Sequence, residues 1–178
     1  MTTAIENRQQ SKVIVGIADL KISSDRADTI VTYGLGSCLG VVIWDPVARV
    51  GGLLHAMLPT GASDPAKAAA NPARFVDTGL PLLFKSAYKL GAQKSNILLT
   101  VAGGASMGAS GREEDFFQIG KRNYMELKKM LWKNGVVIRD EDVGGNVSRT
   151  ISLEVGTGEV LVKSGGKEFS LSRRFPRR

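Results

Sequence analysis

Apolar residues fall along this chain in short runs, and the spacing inside each run separates strands from helices. Val13, Val15 and Ile17 alternate with other residues across 12–21, the period of a half-buried strand. Residues 29–32 read as a short strand entering Gly34-Leu35-Gly36. Residues 39–44 and 50–58 are two runs rich in Val, Ile, Leu and Trp, separated by Asp45-Pro46-Val47-Ala48. Asp-Pro is a turn signal with φ preset at the proline, so the two runs predict a β-hairpin. Residues 96–102 are almost continuously apolar, as in a strand buried on both faces. Residues 136–140 predict another strand. Val147, Arg149, Ile151 and Leu153 alternate across 146–155, and Gly156-Thr157-Gly158 turns the chain into 159–163, a second hairpin.

Two segments carry helical spacing instead. Asn71 suits an N-cap with Pro72 at the first position of a helix over 72–90. Phe75, Leu82, Leu83, Ala87 and Leu90 give it an imperfect apolar stripe, Gly91 closes it, and Pro81 is expected to kink or divide it. A second helix spans 120–133, with Asn134-Gly135 as its terminator. Strands joined mostly by hairpins, with two helices inserted, predict an α+β fold: a single-domain compact sandwich with a mixed, largely antiparallel sheet. Residues 1–11 read as a disordered N-terminal segment, 12–166 as the domain, and 167–178 as a basic tail. The polar, small-residue stretch 60–72 has the length and composition of a lid or binding loop. Residues 110–115 read as another polar segment, expected to be mobile.

Composition narrows the functional classes. A hydrophobic share of 43% and a charged share of 23% are those of a globular domain. The formal charge of +7 is concentrated at one end. Arg173, Arg174, Arg177 and Arg178 supply four of the 24 basic residues, which leaves 20 against 17 acidic ones elsewhere. No nucleic-acid motif accompanies the tail, and an acidic protein partner suits it as well. A single cysteine excludes an internal disulfide, and the N-terminus has no apolar signal run, so the expected compartment is the cytoplasm without membrane insertion. The glycine strings lack the Lys-Ser/Thr of a phosphate loop. Asp140-Glu141-Asp142 lacks a His or Cys beside it and reads as a turn rather than a metal site.

Cys38 and His55 are the only cysteine and the only histidine, and both flank the predicted hairpin. With Pro46 and Val47 as its two loop residues, Asp45 faces Ala48 and Cys38 faces His55, about 5 Å apart between Cβ atoms. A longer loop would shift that register by a residue or two. A thiol beside an imidazole is the requirement of a cysteine hydrolase or acyl transferase. Cys38 attacks, His55 takes its proton, and an imidazolium would lower the thiol pKa. Gly34 and Gly36 leave room for substrate, and N–H groups near Ser37 and Cys38 are candidates for binding an oxyanion.

Gly36-Ser37-Cys38, Asp45-Pro46, Gly51-Gly52 and His55-Ala56-Met57-Leu58-Pro59 resemble the signature of the CheD family of receptor glutamine deamidases. Phe75-Val76-Asp77, Gly103-Gly104-Ala105, Gly120-Lys121-Arg122-Asn123 and Gly144-Gly145-Asn146 with Arg149-Thr150-Ile151 extend the likeness over about 11–166. The resemblance implies catalysis by Cys38 and His55, with Thr32 orienting His55 through its hydroxyl. It implies a fold related to the catalytic domain of the cytotoxic necrotizing factor toxins. It implies a protein-glutamine glutaminase acting on the cytoplasmic helical bundle of methyl-accepting chemotaxis receptors, with methylesterase work on the same acyl carbon in some members. A CheC-type phosphatase is the implied partner, and no metal or organic cofactor is implied. The competing expectation is a non-catalytic chemotaxis adaptor that binds receptor or phosphatase through the same groove.

Overall fold

Residue parity along the strands decides which layer each side chain enters. The computed structural model describes residues 10–106 and 118–171. β4 (Leu39–Asp45) and β5 (Val50–Ala56) form the central hairpin. They lie in a sheet with β2 (Asp19–Ser23), β6 (Leu98–Gly103) and β7 (Ile138–Val143), in the order β2-β5-β4-β6-β7. A second sheet, β1-β3-β8-β9-β10, is built from Ser11–Ile14, Asp28–Leu35, Arg149–Glu154, Val160–Ser164 and Lys167–Ser170. Among the strands of the described residues, β1–β3 and β6–β7 pair in parallel and the other pairs are antiparallel.

Leu39, Val41 and Ile43 point to one side of the hairpin sheet. There they pack with Leu54, Leu99 and Val101 beneath two helices, α2 (Val76–Lys89) and α3 (Ile119–Lys133). Val42, Leu53 and Ala102 point to the other side and meet Ile30, Leu35, Ile151 and Leu153 of the second sheet. The expected α+β sandwich is therefore a stack of three layers: sheet, sheet, helices. In α2, Val76, Leu80, Leu83 and Ala87 are the buried stripe. Each large aliphatic side chain in it contributes roughly 1.5–3 kcal/mol of burial. Gly40 and Gly51 face the second sheet. A Cβ on Gly40 would lie 2.7 Å from Leu35 and 2.8 Å from Ile151, so the close approach of the sheets needs a bare backbone there. No helix among the described residues is long and apolar enough to cross a membrane.

Several local expectations change. The stretch 12–21 is two strands in different sheets, because the chain turns through Gly16 and Ala18 (φ 56) and leaves Ile17 64% exposed. Period-two alternation cannot report that the ladder partner has changed. The 60–72 stretch contains α1 (Pro65–Ala70), N-capped by the Asp64 side chain on the Lys67 N–H. Asn71 precedes a 3-10 turn, Pro72–Arg74, and α2 itself starts at Val76 and runs unbroken through Pro81. Leu90, assigned to the apolar stripe by spacing, is 47% exposed. Asp140-Glu141-Asp142 lies in β7, not in a turn. Lys167–Ser170, at the start of the stretch read as a tail, pairs with β9 as β10. The segments 1–9, 110–115 and 172–178 fall outside the described residues.

The hairpin register also differs from the two-residue loop. Asp45 pairs with Val50, so the connection is Pro46 to Arg49, with Arg49 in the left-handed region at φ 55. Asp45 anchors it by accepting the N–H groups of Val47 and Ala48 at 2.8 and 2.9 Å. His55 consequently faces Gly40, and Cys38 is its diagonal neighbour rather than its direct partner.

Candidate active site

Three facing positions carry the site's chemistry into the space between the sheets. On β5, His55 shares the face of Leu53; on β3, Thr32 shares the face of Ile30; and Cys38 packs against the same inter-sheet cluster. Thr32 and His55 are fully buried, whereas Cys38, in the bend before β4, is half-buried. β3 carries a bulge between Thr32 and Leu35, with Gly34 at φ 68, and this irregularity brings the chain from β3 around to the Gly36-Ser37-Cys38 bend.

Proton counting fixes the imidazole. The Thr32 hydroxyl has one hydrogen and donates it to the Val15 carbonyl at 2.8 Å. Toward His55 Nδ1, 2.7 Å away, it must therefore accept, so Nδ1 carries the ring hydrogen and Nε2 is the basic nitrogen. Nε2 is buried and has no hydrogen-bond partner among the described residues, Cys38 Sγ included. The ladder sets Asp19 beside His55 on the other flank. That carboxylate is occupied by the Leu20 N–H and by Lys21 at 2.7 Å each, which leaves Thr32 as the partner of Nδ1.

Burial governs both reactive groups. It raises the Cys38 thiol above its ordinary range, against a smaller lowering by the residue's own backbone N–H. It lowers the His55 imidazole below its ordinary range. Both shifts favour the uncharged form, so the unliganded pair rests as thiol and neutral imidazole.

The bend that carries Cys38 is held through its carbonyls. Gly36 C=O accepts the Ala105 N–H and Cys38 C=O accepts the Gly104 N–H, each at 2.8 Å. Ser37 C=O accepts Nδ2 of Asn123 on α3, at 2.9 Å. The Gly36 N–H closes on Gly34 C=O at 3.0 Å, so Gly36 lends no donor to an oxyanion. The glycine loop after β6 is pinned in turn. Gly144 N–H bonds Gly103 C=O, and Ser106 N–H bonds Gly145 C=O. The buried Arg149 holds Gly144 C=O and clasps Asp142 through Nε at 2.7 Å. Gly103 (φ 112) must be glycine, since a Cβ there would collide with the Cys38 carbonyl oxygen. Gly120 on α3 is pressed to Gly104 and Ala105, whose carbonyl oxygens would lie 2.5 and 2.6 Å from an added Cβ.

The structure brings the expected residues Cys38, His55 and Thr32 to one space between the sheets. Gly103, Gly120, Asn123 and Arg149 stand in the strings that resemble the family, with Gly120 to Asn123 expected on the active-site side, but the sequence assigns them no contact, and the Val15 carbonyl has no signal at all. Paired glycines were the visible signal for part of the support. A side-chain amide in the second turn of a helix carries no periodic signal of the carbonyls it will meet. An open depression of ≈ 570 Å³ borders Gly104, Lys121, Tyr124 and Gly144 on this side of the molecule. An apolar cleft of ≈ 200 Å³ between α2 and α3 shares no residue with the site.

Comparison with known proteins decides the family. Residues 57–164 match the family described as CheD chemotactic sensory transduction. The chain is 52% identical over 154 residues to "Probable chemoreceptor glutamine deamidase CheD 1" of Syntrophus aciditrophicus, covering 86% of this chain and 94% of that protein. The chain belongs to the CheD family. A second CheD relative, "Probable chemoreceptor glutamine deamidase CheD" of Solibacter usitatus, is 42% identical over 94% of this chain and 97% of its own. A third, from Anaeromyxobacter dehalogenans, is 44% identical over 87% of this chain and 96% of its own. The CheD match at 57–164 begins just past His55. It takes in the glycine loop after β6, the start of α3 with Asn123, and the Gly144-Gly145 loop.

Proposed function

We propose that this chain hydrolyses the side-chain amide of glutamines on a chemotaxis receptor, giving glutamate and ammonia, with Cys38 as nucleophile and His55 as base. The observation that carries the reading is the Val15–Thr32–His55 relay. It leaves a basic, buried and unpartnered Nε2 on the residue diagonal to the position of the chain's one thiol. The substrate class comes from the names borne by the relatives.

The uncharged resting pair sets the order of events. The thiol proton moves to Nε2 as Sγ bonds the amide carbon, so the imidazolium exists only while the tetrahedral adduct does. Its Nδ1–H stays on the Thr32 oxygen throughout, which keeps the ring aligned without adding a buried negative charge. The adduct's oxygen needs donors, and the Ser37 and Cys38 N–H groups, which the backbone bonds of the described residues leave unused, are suited to supply them. His55 returns the proton to nitrogen, the C–N bond breaks, and ammonia leaves a thioester. Water then gives a proton to Nε2 and its oxygen to the acyl carbon. The C–S bond breaks, the imidazolium returns the proton to the leaving sulfur, and glutamate departs as thiol and neutral imidazole are restored. A methyl ester presents the same acyl carbon, with methanol leaving in place of ammonia. A CheC-type phosphatase and the receptor's cytoplasmic helical bundle remain the proposed partners.

Mass spectrometry of receptor cytoplasmic fragments incubated with wild type and with Cys38→Ala tests this. Glutamine-to-glutamate conversion by wild type alone is the expected result. Binding of the fragment without conversion by either form would replace it with the adaptor reading.

A further inference from the structure

The β4–β5 ladder ends at the Leu39–Ala56 pair. Beyond that pair stand Ser37, two residues before Leu39 and next to the nucleophile, and Met57, two residues after the base. Their carbonyls are joined by a single side chain: Asn123 donates one amide hydrogen to Ser37 C=O and the other to Met57 C=O, both at 2.9 Å. Two carbonyl acceptors identify the donating end as Nδ2. The residue is 0% exposed, and its Oδ1 is buried with no partner. The unpartnered buried Oδ1 is a cost to stability that the two Nδ2 hydrogen bonds offset. Asn123 is seated firmly, because Gly120, one turn earlier on α3, sits against the Gly104–Ala105 backbone.

We propose that Asn123 is a positioning residue: its amide clamps the open end of the hairpin and thereby sets the separation and aim of Cys38 Sγ toward His55 Nε2. The inference rests on the reading of Cys38 and His55 as a reacting pair and adds to it a residue that touches neither. Backbone pairing joins the two strands up to Leu39 and Ala56, with His55 inside the ladder, and the Asn123 amide ties the strand ends together beyond it, where Cys38 lies.

The test compares wild type, Asn123→Ala and Asn123→Ser on a receptor fragment. It follows kcat, KM and the pH profile of kcat, and separately the pH dependence of Cys38 alkylation by iodoacetamide, with thermal unfolding as the folding control. Serine keeps one donor. The expected result for a folded Asn123→Ala is a kcat lower by about 100-fold, the penalty of an ångström-scale misplacement. KM should stay unchanged, the pH profile should be displaced, and Cys38 alkylation should shift toward that of a free cysteine. Asn123→Ser should fall between. A folded variant with wild-type kcat and alkylation would overturn the proposal, as would a change in KM alone. Loss of folding in both variants would overturn it in favour of a purely structural bond. Alkylation reads the clamp without a receptor. If wild type converts no glutamine while the alkylation profile still moves in Asn123→Ala, the substrate assignment fails and the clamp stands.

Discussion

At the turn end of the β4–β5 ladder, Asp45 is fully buried and accepts hydrogen bonds from the N–H groups of Val47, Ala48 and Gln93. At the other end, His55 and Asn123 are equally buried, yet His55 Nε2 and Asn123 Oδ1 have no partner and the strand ends are held by a side chain. Both ends belong to one hairpin and exclude water alike. The turn end satisfies its polar atoms and so stabilises the fold. The Cys38 end leaves an acceptor waiting for a proton, which is useful only if something arrives to supply it. Unmatched polar groups concentrated at one end of an otherwise well-paired element mark where chemistry is done.

Substitutions at the two ends should separate activity from stability. The largest effect is expected for His55→Ala, which removes the acceptor for the thiol proton. Conversion of receptor glutamine should fall by roughly 10⁴-fold or more, while the unfolding midpoint moves far less than the activity, since the imidazole makes one side-chain hydrogen bond. Retention of more than a tenth of wild-type kcat would break the comparison.

Thr32→Val is smaller and more informative. It keeps the shape but leaves Nδ1 and the Val15 carbonyl unpaired. Roughly 10- to 100-fold in kcat is expected from a misaligned base, together with about 1–3 kcal/mol of stability from the unpaired groups. Thr32→Ser should recover most of both. If valine lowered stability but spared kcat, the relay would be ordinary core satisfaction.

Asp45→Asn should act in the opposite sense. Its carboxylate is raised by burial, but the N–H donors of Gln93, Ala48 and Val47 and the Asn96 side chain outweigh this and hold it below its ordinary range. A depressed folded-state pKa stabilises above the unfolded value, near ~3.9, and that stabilisation is lost as pH falls through the folded value. Wild type should therefore lose thermal stability as pH drops from about 5 toward 3. Asp45→Asn should start about 1–3 kcal/mol lower and fall less steeply over the same range, with kcat per folded molecule unchanged. A kcat loss there would show that the two ends are coupled.

How much of this was legible beforehand depended on whether the signal was local. Every strand of the hairpin sheet except β2, together with α2 and α3, was visible as period or run, because burial on one face imposes a repeat on adjacent residues. The split at 12–21 was invisible, since alternation reads the same whichever sheet a strand joins. The two-residue loop failed because the Asp45 side chain, not Pro46, organises the turn, and Arg49 takes the left-handed conformation that closes it. The candidate pair was legible for a plain reason: a chain with one cysteine and one histidine offers no rival choice.

The sequence by itself determined the residue types, their parity on neighbouring strands and the family likeness. Those choose the reaction that the chain is suited to perform. The tertiary structure alone decided the protonation and the support: which imidazole nitrogen is basic, that burial keeps thiol and imidazole uncharged, and that Asn123 from α3 grips the ends of both strands. These are properties of contacts between residues 17 to 86 positions apart. A hydrogen-bond partner or a desolvating neighbour at that distance leaves no periodic trace in the residues it acts upon.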